Sequence, residues 1–149
     1  MKTIGRLLIL AISLVVFTVC WAGESEGTGC PKALEMEALD VASTIRDWSV
    51  LYGAYSKYKK CDDGAIAEGF TESVVRMLAD DWGSTAKLGP LAKRNRRFLA
   101  FVYRHINESA DEKDLEKIVE NVRTSDCEGI SRSICTGIKA RAEAALKAM

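Results

Sequence analysis

The pattern of apolar and polar positions along the chain is helical nearly throughout. Leu34, Ala38, Val41, Ile45, Trp48, Tyr52 and Tyr55 recur at alternating spacings of three and four, which places them on one face of a helix opening at Pro31. The stripe predicts a first helix that is long, ending near Lys60, with a bend at Gly53, where glycine weakens a helix by about 1 kcal/mol relative to alanine. Cys61-Asp62-Asp63-Gly64 interrupts it. Ile66, Phe70, Val74, Met77, Leu78 and Trp82 then predict a second helix from about Ala65 to Trp82.

Gly83 and Ser84 stop that helix, and Gly89-Pro90 reads as a further turn in which proline pushes residue 89 from helical angles. Leu91, Phe98, Leu99, Val102 and Ile106 form a third stripe. Ser109, with Glu112 three residues on, reads as a capping box opening a fourth helix whose buried face is Leu115, Ile118, Val119 and Val122. Ile130, Ile134, Ile138, Ala142 and Leu146 step by four through a fifth. No segment sustains period-two alternation, so the expected fold is all-α, an antiparallel bundle of about five helices.

The amino terminus changes the picture of where this bundle folds. Lys2 and Arg6 precede an apolar run from Leu7 to Val19, and Cys20-Trp21-Ala22 offers small residues at the positions a signal peptidase requires before Gly23. The apolar stretch is too short to span a bilayer comfortably, and a polar segment follows directly, so a removable signal over 1–22 is expected rather than an anchor. The segment GESEGTG from Gly23 has nothing apolar to bury and makes 23–30 a leader into a helical domain at 31–149.

Cleavage removes Cys20 and leaves Cys30, Cys61, Cys127 and Cys135, an even number in an exported chain, which implies two disulfides. Were the first helix unbroken from Pro31 to Lys60, its ends would stand about 45 Å apart, far beyond the reach of a bridge. Cys30 and Cys61 would then each need Cys127 or Cys135. A kink in that helix reopens the other pairing, Cys30 with Cys61 and Cys127 with Cys135.

Charge is balanced at 21 basic and 21 acidic residues, and loss of Lys2 and Arg6 takes the basic count to 19. Bulk charge therefore selects no partner, and a near-neutral exported chain is not a nucleic-acid binder by composition. No GxSxG, HExxH, phosphate-loop or dinucleotide-loop pattern is present, and no CxxC pair or histidine cluster offers a metal site. No cofactor is expected. The lone histidine, His105, reads as a surface or packing residue.

Two stretches carry the candidate partner-binding residues. In Cys61–Gly69 the acids Asp62, Asp63 and Glu68 form an exposed recognition patch or a weak cation site on one reading; on the other, Asp62 and Asp63 cap the helix and the small residues permit close packing. From Ser84 to Asn107 there are six basic residues and no acids, with Arg94, Arg96 and Arg97 clustered. This run either steers an acidic partner or is a solvated face neutralised by the acid-rich segment Glu108–Glu120. Asn107-Glu108-Ser109 fits a glycosylation sequon, and Tyr58 and Tyr103 fall less clearly on the apolar faces, as candidates for partially exposed contact residues.

A signal peptide, a helical domain of this size, four cysteines and the segment CDDGAIAEG together resemble the small periplasmic immunity proteins that neutralise cell-wall-degrading effectors of bacterial type VI secretion, the amidase-immunity families among them. That resemblance implies a non-enzymatic inhibitor that occludes an effector's cleft in the periplasm. The same layout also resembles small disulfide-bonded helical acid-response proteins, which implies a stress or chaperone-like role instead.

Overall fold

A computed structural model describes residues 29–149 apart from Asp126, so the expected signal and most of the leader lie outside the described residues. The described chain is all-helical, with seven α-helices and a 3-10 turn in place of the five expected. They are α1 (Lys32–Ala42), α2 (Trp48–Tyr58), α3 (Gly64–Asp80), the 3-10 turn (Trp82–Lys87), α4 (Leu88–Arg94), α5 (Arg96–Arg104), α6 (Glu112–Ser125) and α7 (Arg132–Ala148). None is long and apolar enough to cross a membrane.

The long first helix is two helices. Gly53 lies inside an uninterrupted α2, and the chain breaks at Ser43–Asp47 instead. There Thr44 turns its hydroxyl onto the carbonyl of Val41, competing with the helix for its own backbone groups, and Asp47 restarts the chain by accepting from the N–H groups of Ser49 and Val50. The carbonyls freed at the end of α1 are taken by α3, through the Ser73 hydroxyl on Ala42 and the Arg76 guanidinium on Ser43. A periodic stripe runs through this break because both helices bury the same side, and apolar spacing does not register a corner satisfied from another element.

The corner decides the sulfur pairing. With α1 and α2 folded on one another, residues 30 and 61 come to 4.6 Å between Cα atoms and form one disulfide, while Cys127 and Cys135 form the other. Pairing from the ends of an unbroken helix is thereby corrected. Two disulfides in a chain of this size mark an oxidising compartment.

The third stripe is also divided. Asn95 leaves α4 extended and caps α5 by accepting from the N–H groups of Arg97 and Phe98. Gly89 and Pro90 sit within the first turn of α4 rather than in a turn before it, which proline tolerates because the N–H it lacks would have had no helical partner. The fourth helix starts at Glu112, and its N-terminal acceptor is Asp111, which binds the N–H of Lys113, rather than Ser109.

One continuous core joins these elements, with Trp48, Leu51, Phe70, Leu78, Phe98, Phe101, Leu115, Ile118 and Ile138 almost wholly out of solvent. α6 and α7 make the most extensive helix pair, and α3 packs on both α1 and α6. Two glycines set close crossings. A Cβ on Gly69 would stand 2.9 Å from that of Ala42, and the ring of Tyr103 fills the space a Cβ on Gly137 would take.

Candidate functional site

The residues singled out from sequence separate into an internal group and an external one. Asp62 belongs to the first. It leads from the Cys61 disulfide into α3, and its carboxylate is only 3% exposed. The Arg104 guanidinium closes on one oxygen from the end of α5, and His105 Nε2 stands 3.1 Å from the other. That second contact is close but poorly aligned, leaving both atoms without a straight hydrogen bond. On the far side of the ring, Nδ1 lies 3.1 Å from the hydroxyl of Thr71 on α3. Burial pushes the Asp62 carboxyl up, and the contacts with His105 and Arg104 outweigh it, so the group ionises below its ordinary range.

Asp62, His105 and Thr71 thus stand in the order carboxylate, imidazole, hydroxyl. A hydrolytic site needs the hydroxyl in reach of a substrate carbonyl. Here Thr71 and His105 are both buried, with Phe70 and Phe101 packed on the ring. Asn107 adds its side-chain amide to the Thr71 hydroxyl and to the carbonyl of Arg104, and accepts from the N–H of Ser109. The arrangement holds the Cys61 corner to the end of α5. His105 is therefore an interior residue, and the amide of the sequon asparagine is already engaged.

Asp63 does cap α3, accepting from the N–H of Gly64, whose φ of 50° suits glycine. Glu68 is exposed and lines a cleft of about 470 Å³ between α3 and the start of α6, with Glu72, Asp111 and Asp114. Burial, with Asp80 and Asp111 close by, holds the Asp114 carboxyl above the usual range. Three acids expected on one patch therefore go to three different places.

The basic run behaves otherwise. Arg104 is drawn to Asp62, and Lys87 reaches back to Asp47 at 2.8 Å. Lys93, Arg94, Arg96 and Arg97 remain exposed around the α4–α5 junction, and none has a carboxylate within salt-bridge distance among the described residues. The acid-rich segment turns elsewhere, Lys117 of α6 pairing with Asp80 and Glu120 with Arg123. Neutralisation of the run by that helix is not what the fold builds.

Beside the run lies an open groove of about 570 Å³. Pro90, Ala92, Leu99 and Ile134 supply apolar lining, Lys93 and Arg96 supply charge, and Ser131 and Ser133 contribute hydroxyls. Arg94 sits over the ring of Tyr52. From Tyr52 a chain of aromatic contacts runs through Phe98, Tyr55 and Phe101 to His105, with ring centroids 4.3 to 5.4 Å apart. The chain links the ring beneath Arg94 to the buried corner. Tyr58 is buried and so is not the partly exposed contact residue expected, whereas Tyr103 is half-buried, its hydroxyl on the carbonyl of Ile134.

The apolar side of the groove is what sequence reading missed. Its lining comes from two separated stretches, one from Ala86 through α4 to Leu99 of α5 and one from Gly129 to Ile134 at the start of α7. Only the basic residues of α4 and α5 signalled it. No family model matches the chain, and neither a curated protein nor a solved structure does.

Proposed function

We propose that the chain is an exported, non-enzymatic binding protein, an immunity protein or inhibitor that occludes the cleft of a toxin or cell-wall hydrolase in the periplasm. The observation that carries this reading is the α4–α5 surface, where four cations without carboxylate partners border an apolar groove on a frame fixed by two disulfides. Apolar area beside unneutralised charge on a rigid support is the chemistry of protein recognition, where anchoring side chains supply affinity and charge supplies orientation. The carboxylate, imidazole and hydroxyl that resemble catalytic groups are consumed inside the fold.

Crosslinking of the disulfide-intact protein in its native envelope tests the reading. A saturable adduct of defined one-to-one mass, displaced by excess unlabelled protein and containing a hydrolase or toxin, is the expected result. Absence of any saturable adduct defeats it. Strong binding of an apolar dye on acidification, with many weak client proteins instead of one adduct, would favour the chaperone-like alternative.

A further inference from the structure

We propose that the groove beside α4 and α5 receives an extended segment of the protein partner in which carboxylates flank a bulky apolar side chain. This rests on the binding reading above and names the part of the partner that is held.

The groove's volume of about 570 Å³ falls in the range of about 300 to 1,000 Å³ usual for clefts that hold a ligand. Its lining is apolar where Pro90, Leu99 and Ile134 meet, which selects against a wholly polar occupant. Its charge has one sign. Lys93 and Arg96 line it, no acid does, and neither cation has a carboxylate partner among the described residues. A groove of this kind leaves cations hydrated when empty and gains from an anion brought in on a segment that also fills the apolar part.

A third contribution comes from α7. Ser131 and Ser133 line the groove, and Ser131, which precedes the helix, makes no side-chain bond to the N–H groups of its first turn. The positive end of a 17-residue helix therefore adds to Lys93 and Arg96 from the other side of the cleft. Cys127–Cys135 holds that helix start in place, and Cys135 is itself fully buried. Arg97 and Arg94 lie just outside the lining, suited to steering an acidic partner toward it.

The test uses the intact, oxidised chain and three fluorescein-labelled peptides of alternating leucine with glutamate, glutamine or lysine. Fluorescence anisotropy should show saturable binding of the glutamate peptide, with the glutamine peptide weaker by on the order of tenfold and the lysine peptide weaker still. The charge-swapped variant K93E/R96E should reverse that order. Ala86→Trp, at an exposed position in the lining, should weaken the glutamate peptide by obstructing the groove while circular dichroism stays helical. Equal binding of the glutamate and glutamine peptides, or an order unchanged in K93E/R96E, overturns the proposal. So does binding to phosphatidylglycerol vesicles through Lys93 and Arg96 with no peptide binding, which would make the groove a lipid site. An envelope adduct that survives K93E/R96E would reject this groove and leave the binding reading standing.

Discussion

The Cys61 corner and the α4–α5 rim each gather several charged groups within a few residues, yet the fold draws one set inward and leaves the other in water. At the corner, Asp62 follows a cysteine whose disulfide ties the loop to residue 30, so its carboxylate is held over the end of α5, where Arg104 and His105 meet it. The cost of removing a carboxylate from water is offset there by a cation and an imidazole together. At the rim, Lys93, Arg94, Arg96 and Arg97 occupy the end of one short helix and the start of the next, with no acid brought opposite. The difference teaches that availability to a partner is settled by what the tertiary fold places across from a charge, since Asp62, in the more conspicuous acidic loop, proves to be internal scaffolding.

The two disulfides divide between these regions and offer the largest test of the comparison. Cys30–Cys61 spans 31 positions and secures the corner, whereas Cys127–Cys135 spans 8 and supports the wall of the groove. Loop-closure entropy alone assigns about 4 kcal/mol to the first and about 2.5 kcal/mol to the second. Denaturant unfolding of C30A/C61A and C127A/C135A should therefore show the greater loss for the former. The reverse order would mean that the corner is not where the fold depends most on covalent support.

Next in size is Asp62 itself. Asp62→Ala leaves His105 buried without its carboxylate, while Arg104, 61% exposed, can rehydrate, so a loss of about 2 to 3 kcal/mol is expected, below that of a pair buried on both sides. Because the folded carboxyl ionises below its usual range, its stabilising contribution is complete above the unfolded value near pH 4 and is lost as pH falls through the lower folded value. The stability difference between wild type and Asp62→Asn should be level near neutrality and shrink below about pH 4. A difference that does not change with acidification would show that the ionised form is not what holds the corner.

Helical content, the apolar stripes that supply the core, and the presence of two disulfides were legible because each follows from local spacing or cysteine number. Ile66, Phe70, Val74, Met77 and Leu78 lie on the buried side of α3, as their periodicity requires. The corner at Ser43–Asp47 was not legible, since its exposed carbonyls are satisfied by Ser73 and Arg76 from a helix some thirty residues later. For the same reason Asp62 read as a surface acid and His105 as an isolated ring, each partnered across more than forty positions. The basic run stood out from sequence because exposure needs no partner, and its groove did not because Ile134 enters it from α7.

The smallest expected effects lie within the rim and sharpen the contrast with the corner. Arg97 makes no ion pair among the described residues, so Arg97→Ser should change unfolding stability by no more than about 0.5 kcal/mol, as for an ordinary surface substitution. Arg94 stands 5.8 Å from the centroid of Tyr52, a contact worth about 0.5 to 1 kcal/mol at an exposed site, so Arg94→Ser should cost slightly more. Two cations of one run are thereby separated by whether a ring lies beneath them. Stability losses at Arg97 approaching those at Asp62 would mean that the rim, too, is committed to holding the fold, and its charges could not then be counted as free for a partner.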